Sequence, residues 1–218
     1  MDEVGELKLT DLEQQLHQLF DDVFEVVGRV DPNKSRQFAE ILKQDNLNIN
    51  VQDDDGRTLF MKAVRYIPAS LNIIKILLAH RQFNVNIVDN AGDNTLCYLP
   101  CAHPDTDPSP VDVFWVYKQL ILKGINVNNR NIEGQIALVH RMCFTCRHDF
   151  DLQQMLVTDD SDIFYRNAED VCAYDYALQR GEKYLVMMNR HLLKLAMTAE
   201  YLLILPRDIR EYIKLFHL

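Results

Sequence analysis

Hydrophobic positions fall in short helical stripes separated by polar turns. Leu71, Ile74, Leu77 and Leu78 of LNIIKILLAH share one stripe, as do Val113, Val116, Leu120 and Ile121 of VDVFWVYKQLILKG. The runs RQFAEILKQ, FDLQQMLV from Phe150 and EKYLVMM from Glu182 follow the same rule. Gly124 stands where a helix-ending glycine belongs. Between stripes the pattern changes to alternating Val, Ile and Asn, in LNINVQDD from Leu47, FNVNIVDN from Phe83 and GINVNNRN from Gly124. That alternation predicts short extended arms. Near the N-terminus Leu12, Leu16, Leu19, Phe20, Val23 and Val27 recur at helical spacing, and Thr10 with Glu13 predicts a capping box. Gly28 closes that helix, and Asp31-Pro32 opens the next with proline at its first position.

Four segments repeat a turn followed by a helix: DDDGRTLFMKAV from Asp53, DNAGDNTLCYLP from Asp89, NIEGQIALVHRM from Asn131 and NAEDVCAYDYAL from Asn167. Each opens with Asp or Asn, and the fourth position holds Gly56, Gly92, Gly134 or Asp170, at intervals of 36, 42 and 36 residues. Asx side chains hydrogen-bond the backbone ahead of them, and glycine takes a positive φ without steric cost. Asp at the fourth slot of the last copy tolerates that conformation better than most residues. The long interval contains CAHPDTDPSPVD, from Cys101 to Asp112, whose three prolines cannot continue a helix. It is predicted to be an insertion between the two helices of its unit, either a tolerated surface loop or a binding loop.

Turn, helix, helix and extended arm, at about 33 residues per copy, resemble the ankyrin-repeat family. The family's Thr-Pro-Leu-His-x-Ala core is matched by Thr58-Leu59-Phe60-Met61-Lys62-Ala63, where Thr is kept and Pro and His are not. The next copies, Asn94-Thr95-Leu96-Cys97-Tyr98-Leu99 and Ile136-Ala137-Leu138-Val139-His140-Arg141, are more degenerate. Degenerate units of uneven length are common among viral and parasite members. The resemblance implies an all-α solenoid of helix pairs: an N-terminal capping helix over 1–31, about five repeats over 32–188, and a C-terminal helical tail over 189–218. A dimerising helix is the alternative for the N-terminal segment.

In the tail, LPRDIREYIKLFHL resembles the start of an F-box, where Leu-Pro precedes a helix with spaced isoleucines; Leu205, Pro206, Ile209 and Ile213 match it. Viral ankyrin proteins carry such a truncated module, the PRANC domain, at their C-terminus. Ile209-Arg210-Glu211-Tyr212-Ile213 also resembles the end of a SOCS box, although that module's upstream Leu and Cys signature is missing from Asn189 to Glu200. Both resemblances imply recruitment of a cullin-type ubiquitin ligase. The competing expectation is that the tail only caps the last repeat.

Composition narrows the function. The 218 residues carry a net charge of -9, with 23 basic and 32 acidic residues and no basic run, which excludes a duplex nucleic-acid footprint. The odd count of five cysteines argues against a disulfide framework and for a reducing compartment. The N-terminus lacks an apolar signal core, and the most apolar stretch, Tyr184 to Leu205, is interrupted by charged residues, so a cytoplasmic or nuclear protein off the membrane is expected. Cys143-x-x-Cys146 with His148, and Cys97-x-x-x-Cys101 with His103, have metal-like spacing. Neighbouring helices pack about 10 Å apart, too far for one ion to join equivalent positions, so no metal is assigned. No phosphate-loop or HExxH motif occurs, and no catalytic residue or cofactor is assigned.

The family resemblance implies a protein target held on the concave face of turn tips and first helices. The corresponding residues are Asp54, Arg57, Asn90, Asp93, Ile132 and Gln135, with Lys62, Arg65 and Tyr66 on the first helix of the second unit. A substrate adaptor would pass that target to a cullin ligase through Leu205, Pro206, Ile209 and Ile213. The alternative is an acidic ankyrin inhibitor, resembling the inhibitors of NF-kappa-B, that masks a basic signal on a host protein.

Overall fold

The computed structural model describes residues 9–24, 32–44, 46–100, 110–143, 150–159 and 161–197. Among these residues the regular structure is helical: α1 (Leu9–Phe24), α2 (Pro32–Ile41), α3 (Leu59–Val64), α4 (Leu71–Ala79), α5 (Thr95–Tyr98), α6 (Pro110–Leu122), α7 (Ala137–Cys143), α8 (Phe150–Thr158), α9 (Ala173–Arg180) and α10 (Glu182–Met197). An isolated antiparallel bridge joins Gln52 and Thr58, and no strand occurs among the described residues. The chain divides into two compact units, Met1–Asn126 and Val127–Leu218.

In the first unit α1 packs on α2 and α3, α3 on α4 and α5, and α2 on α4. The predicted stripes supply the core: Leu16, Phe20 and Val23 of α1, Ile74, Leu77 and Leu78 of α4, and Val113, Val116 and Leu120 of α6 are buried. Each such aliphatic contributes about 1.5–3 kcal/mol relative to exposure. Ile73 and Tyr117 join them, while Leu19, Leu71 and Ile121 sit at the margin. The Phe20 ring stacks on Phe24 at 4.5 Å and meets Phe38 edge-on at 6.0 Å, tying α1 to α2. Ser70 closes the α3–α4 connection by donating its hydroxyl to the Ala63 carbonyl at 2.6 Å. Pro32 is the first residue of α2, as its fixed φ requires. The predicted cap at Thr10 differs: α1 already includes Leu9, so Thr10 lies inside the helix.

In the second unit α7 packs on α8 and α9, and α10 on α8 and α9. Leu138, Val139, Met142, Leu152, Leu156, Ala173, Ala177, Met188 and Leu192 form its core. Gln153 is fully buried there and donates its amide to the Arg141 carbonyl at 3.2 Å. The helix starting at Glu182 runs on to Met197, past the end of the apolar run EKYLVMM, because Leu192 continues its buried stripe.

The segments predicted as extended arms each contain a turn, at 49–50, 85–86 and 127–128, and asparagine rather than a sheet holds them. Asn48, Asn84 and Asp162 each accept the backbone N–H two residues ahead, at 3.1 Å in every case. Asn50 and Asn86, each three residues before a turn, reach to the next arm in the first unit. Asn50 accepts Asn84 N–H at 3.1 Å and donates to the Gln82 carbonyl at 2.6 Å. Asn86 accepts Asn126 N–H at 2.8 Å and donates to the Gly124 carbonyl at 3.1 Å. In the second unit Asn128 accepts Asp162 N–H at 2.7 Å. A side-chain amide offers a donor and an acceptor together, so it satisfies arm backbone that has no ladder partner. Gly124 ends α6 with φ 78° and bonds back to Ile121, while Ile125 bonds back to Leu120.

Candidate functional site

Four turns of one geometry precede α3, α5, α7 and α9. In each, the first residue's side chain accepts two backbone N–H groups, two and four residues ahead. Asp53 takes Asp55 at 3.1 Å and Arg57 at 2.8 Å, and Asp89 takes Ala91 at 2.9 Å and Asp93 at 2.8 Å. Asn131 takes Glu133 at 3.0 Å and Gln135 at 2.8 Å, and Asn167 takes Glu169 at 3.1 Å and Val171 at 2.9 Å. The backbone closes each turn with a 3.0 Å bond from the first N–H to the fifth carbonyl. The fourth residue takes a positive φ: 77° at Gly56, 79° at Gly92, 69° at Gly134 and 62° at Asp170. Asp170 is thus the non-glycine residue the sequence placed in this conformation, and the short polar side chain tolerates it.

Neighbouring turns interlock inside each unit. In the first, Asn90 donates its backbone N–H to the Asp55 carbonyl at 3.0 Å and its amide to the Asp54 carbonyl at 2.8 Å. In the second, Ala168 N–H donates to the Glu133 carbonyl at 3.0 Å. The helices that follow start on different chemistry at one slot. The Thr58 hydroxyl accepts Met61 N–H at 3.2 Å, Asn94 accepts Leu96 N–H at 3.1 Å, and Cys172 N–H donates to the Asp175 carboxylate at 3.0 Å.

The residues predicted to meet a partner fall as follows. Asp54, Asn90 and Ile132 occupy the same exposed tip slot of successive turns, and Ile132 is 78% exposed. Arg57, Asp93 and Gln135 form the second leg of the turns and are half-buried. Arg57 is held by the carboxylates of Asp53, at 3.5 Å, and Asp55. Arg65 and Tyr66 lie exposed just after α3, with the Tyr66 ring 5.3 Å from Phe24. Lys62 is not a free cation: its ammonium bonds Asp21 at 2.6 Å and sits 5.7 Å from the Phe20 ring. In the first unit Asp54 and Lys62 line one depression beside α1. Ile132 and Gln135 belong to the second unit. Leu205, Pro206, Ile209 and Ile213 lie outside the described residues, as do Cys101, His103, Cys146 and His148.

Residues of α1 complete this surface and were not read from sequence. A depression of about 470 Å³ between α1 and the first turn is lined by His17, Asp21, Asp53, Asp54, Asp55 and Lys62, among others. His17 and Asp21 are 36 and 32 positions before Asp53, and nothing in α1's pattern marks them beyond their polarity. The His17 ring bonds the Val51 carbonyl through Nε2 at 2.9 Å, and burial holds its pKa below the ordinary value. Burial raises the Tyr98 hydroxyl, which also donates to the Asp89 carboxylate. Tyr176 is pushed up to about 12, first by the Cys143 thiol bonded to its oxygen at 3.0 Å and then by burial. Burial raises the Cys172 thiol. The Tyr98–Asp89 bond braces α5 against its turn, and the Cys143–Tyr176 bond joins α7 to α9. Among the described residues no cluster of three or more His, Cys, Asp or Glu is placed to hold a metal ion.

No protein-family model matches the chain. Over 140 residues, 64% of its length, the chain is 26% identical to a fowlpox virus (strain NVSL) protein named as an ankyrin repeat protein. The matched stretch is 29% of that relative's length. The similarity supports the resemblance to the ankyrin-repeat family that the Asx turns carry.

Proposed function

We propose that this is a non-catalytic, ankyrin-type solenoid that holds a partner protein on its turns and first helices. The supporting observation is one turn geometry recurring four times, interlocked at the same 36-residue spacing in each unit. An array of this kind buries each helix pair against its neighbour and leaves the turn tips free to vary. The name of the fowlpox virus relative supports protein binding as the role. The contact residues in this reading are Asp54, Arg57, Arg65, Tyr66, Asn90 and Asp93 in the first unit and Ile132 and Gln135 in the second. Reversing the charge of one tip with Asp54→Lys and charging another with Ile132→Lys is expected to abolish capture of the partner from cell extract while leaving the circular dichroism spectrum unchanged. Equal capture by this variant and the parent chain refutes the assignment.

The finer reading is a substrate adaptor, with Leu205, Pro206, Ile209 and Ile213 recruiting a cullin-type ligase in the cytosol or nucleus. Its support is the F-box-like pattern behind a repeat array. The test compares the intact chain with one ending at Met197, a point chosen because α10 continues to that residue with Leu192 buried. Loss of cullin components with the target retained supports the adaptor; no cullin in either sample removes it. The acidic first-unit tips, Asp54 and Asp55, favour a second reading, an inhibitor that masks a basic segment of a signalling protein. That reading expects target capture by both forms and loss of capture at high salt.

A further inference from the structure

Helix α6 is apolar on two sides. Its inner stripe, Val113, Val116, Tyr117 and Leu120, is core. Its outer side carries Val111, 73% exposed, and Leu122, 78% exposed. These two lie eleven positions apart, three helical turns, so they line up with half-buried Trp115 and exposed Lys118 between them. Half-buried Phe114 widens the stripe. The neighbouring helix α4 is different: its outward positions are Asn72, Lys75 and Ala79. Lys75 holds its ammonium over the half-buried Trp115 ring, 5.6 Å from its centroid.

The fold does not need this outer stripe, because the inner one already closes the core. An aligned aliphatic, aromatic and aliphatic row on a helix surface is what a contact with another molecule uses. The charges beside it, Lys75 and Lys118, are positive on a chain whose net charge is -9. Asp112 lies off the row, one residue beyond Val111. We propose that the outer face of α6, with Lys75 of α4, docks an acidic amphipathic segment of a partner protein, whose apolar side chains cover Val111, Trp115 and Leu122 while its carboxylates meet Lys75 and Lys118. This surface is separate from the turn tips, and a partner held there leaves them free. Anionic lipid offers the same pairing of charge and grease, but a single row three helical turns long with Lys118 within it matches one short amphipathic segment, and vesicles test the lipid directly.

Trp115 is the sole tryptophan of the chain, so its emission reports this face directly. The probes are a short tryptophan-free peptide with leucine at helical spacing and glutamate elsewhere, the same peptide with lysine for glutamate, and phosphatidylcholine vesicles containing phosphatidylserine. The glutamate peptide is expected to shift Trp115 emission to the blue in a saturable way, and the lysine peptide and vesicles are not. The Val111→Glu, Leu122→Glu double variant weakens that binding by about tenfold or more. The Lys75→Glu, Lys118→Glu variant loses the glutamate peptide and gains the lysine one. All four sites are on the surface, and circular dichroism verifies that both variants fold. No saturable shift with the glutamate peptide, an equal shift with the lysine peptide, a shift with vesicles alone, or unchanged binding in either variant overturns the proposal.

Discussion

The paired turns of the first unit and those of the second share their hydrogen bonds and differ in nearly everything they display. Both pairs are 36 residues apart, and both interlock through the same backbone bond, Asn90 to Asp55 and Ala168 to Glu133. The first pair presents Asp54, Asp55, Arg57 and Asn90; the second presents Ile132, Glu133, Ala168 and Glu169. Two requirements hold the backbone: an Asx acceptor at the first slot and a residue that tolerates positive φ at the fourth. The tip side chains of Asp54 and Ile132 take no part in those bonds and vary without cost to the turn, whereas Asn90 adds an amide bond to the Asp54 carbonyl. The glycines also differ in their surroundings. A Cβ on Gly56 would lie 2.5 Å from the Asn90 side chain and 2.6 Å from its backbone nitrogen, whereas one on Gly134 would meet nothing nearer than the Ala168 nitrogen at 3.4 Å.

This contrast sets an order of expected effects. Gly56→Ala combines a strained φ with a clash against backbone, and should cost roughly 3 kcal/mol in urea unfolding. A loss no larger than that of Gly134→Ala would refute the close-approach argument. Asp89→Ala removes the acceptor for two backbone N–H groups and for the Tyr98 hydroxyl, and should cost about 2 kcal/mol. Gly134→Ala carries the conformational penalty alone, about 1 kcal/mol, with amide exchange accelerated in the second unit.

The units should also answer differently to acid. Burial depresses the His17 pKa in the folded first unit below 6.5, so the unfolded chain binds the proton more readily. The stabilisation this histidine contributes is whole above pH 6.5 and is lost as pH falls through the folded value. His17→Gln should therefore flatten the fall in urea midpoint between neutral and mildly acid pH. In the second unit burial pushes the Asp175 pKa up, but the Cys172 and Arg166 hydrogen bonds outweigh it and hold the carboxylate below 3.8. Its contribution is present above that value and disappears only at lower pH. An equal response of wild type and His17→Gln across the mildly acid range would remove the distinction. The smallest effect is Asp170→Gly, which relieves the left-handed strain of the last turn and should stabilise by about 0.5 kcal/mol.

Much of this was legible from residues that act locally. The Asx–x–x–Gly signature named all four turns, including the Asp170 copy, because the side chain and the bonds it makes lie within five residues. The stripes of α4 and α6 named most of their buried positions for the same reason. Side chains with distant partners were not legible. Sequence alone presents Lys62 as a contact residue, and its pairing with Asp21, 41 positions away, appears only when α1 lies against α3. The outer side of α6 was equally hidden, since periodicity marks apolar positions without saying which side meets the core.

The sequence by itself determined where the chain turns and which short stretches are helical, because Asx capping, positive φ and helical spacing act within one turn of backbone. Tertiary structure decided how the turns interlock, that Asn50, Asn86 and Asn128 stitch one arm to the next, and which apolar and charged groups remain outside. Those outcomes depend on pairs some 32 to 41 residues apart, and only packing of the intervening helices brings them within hydrogen-bonding distance.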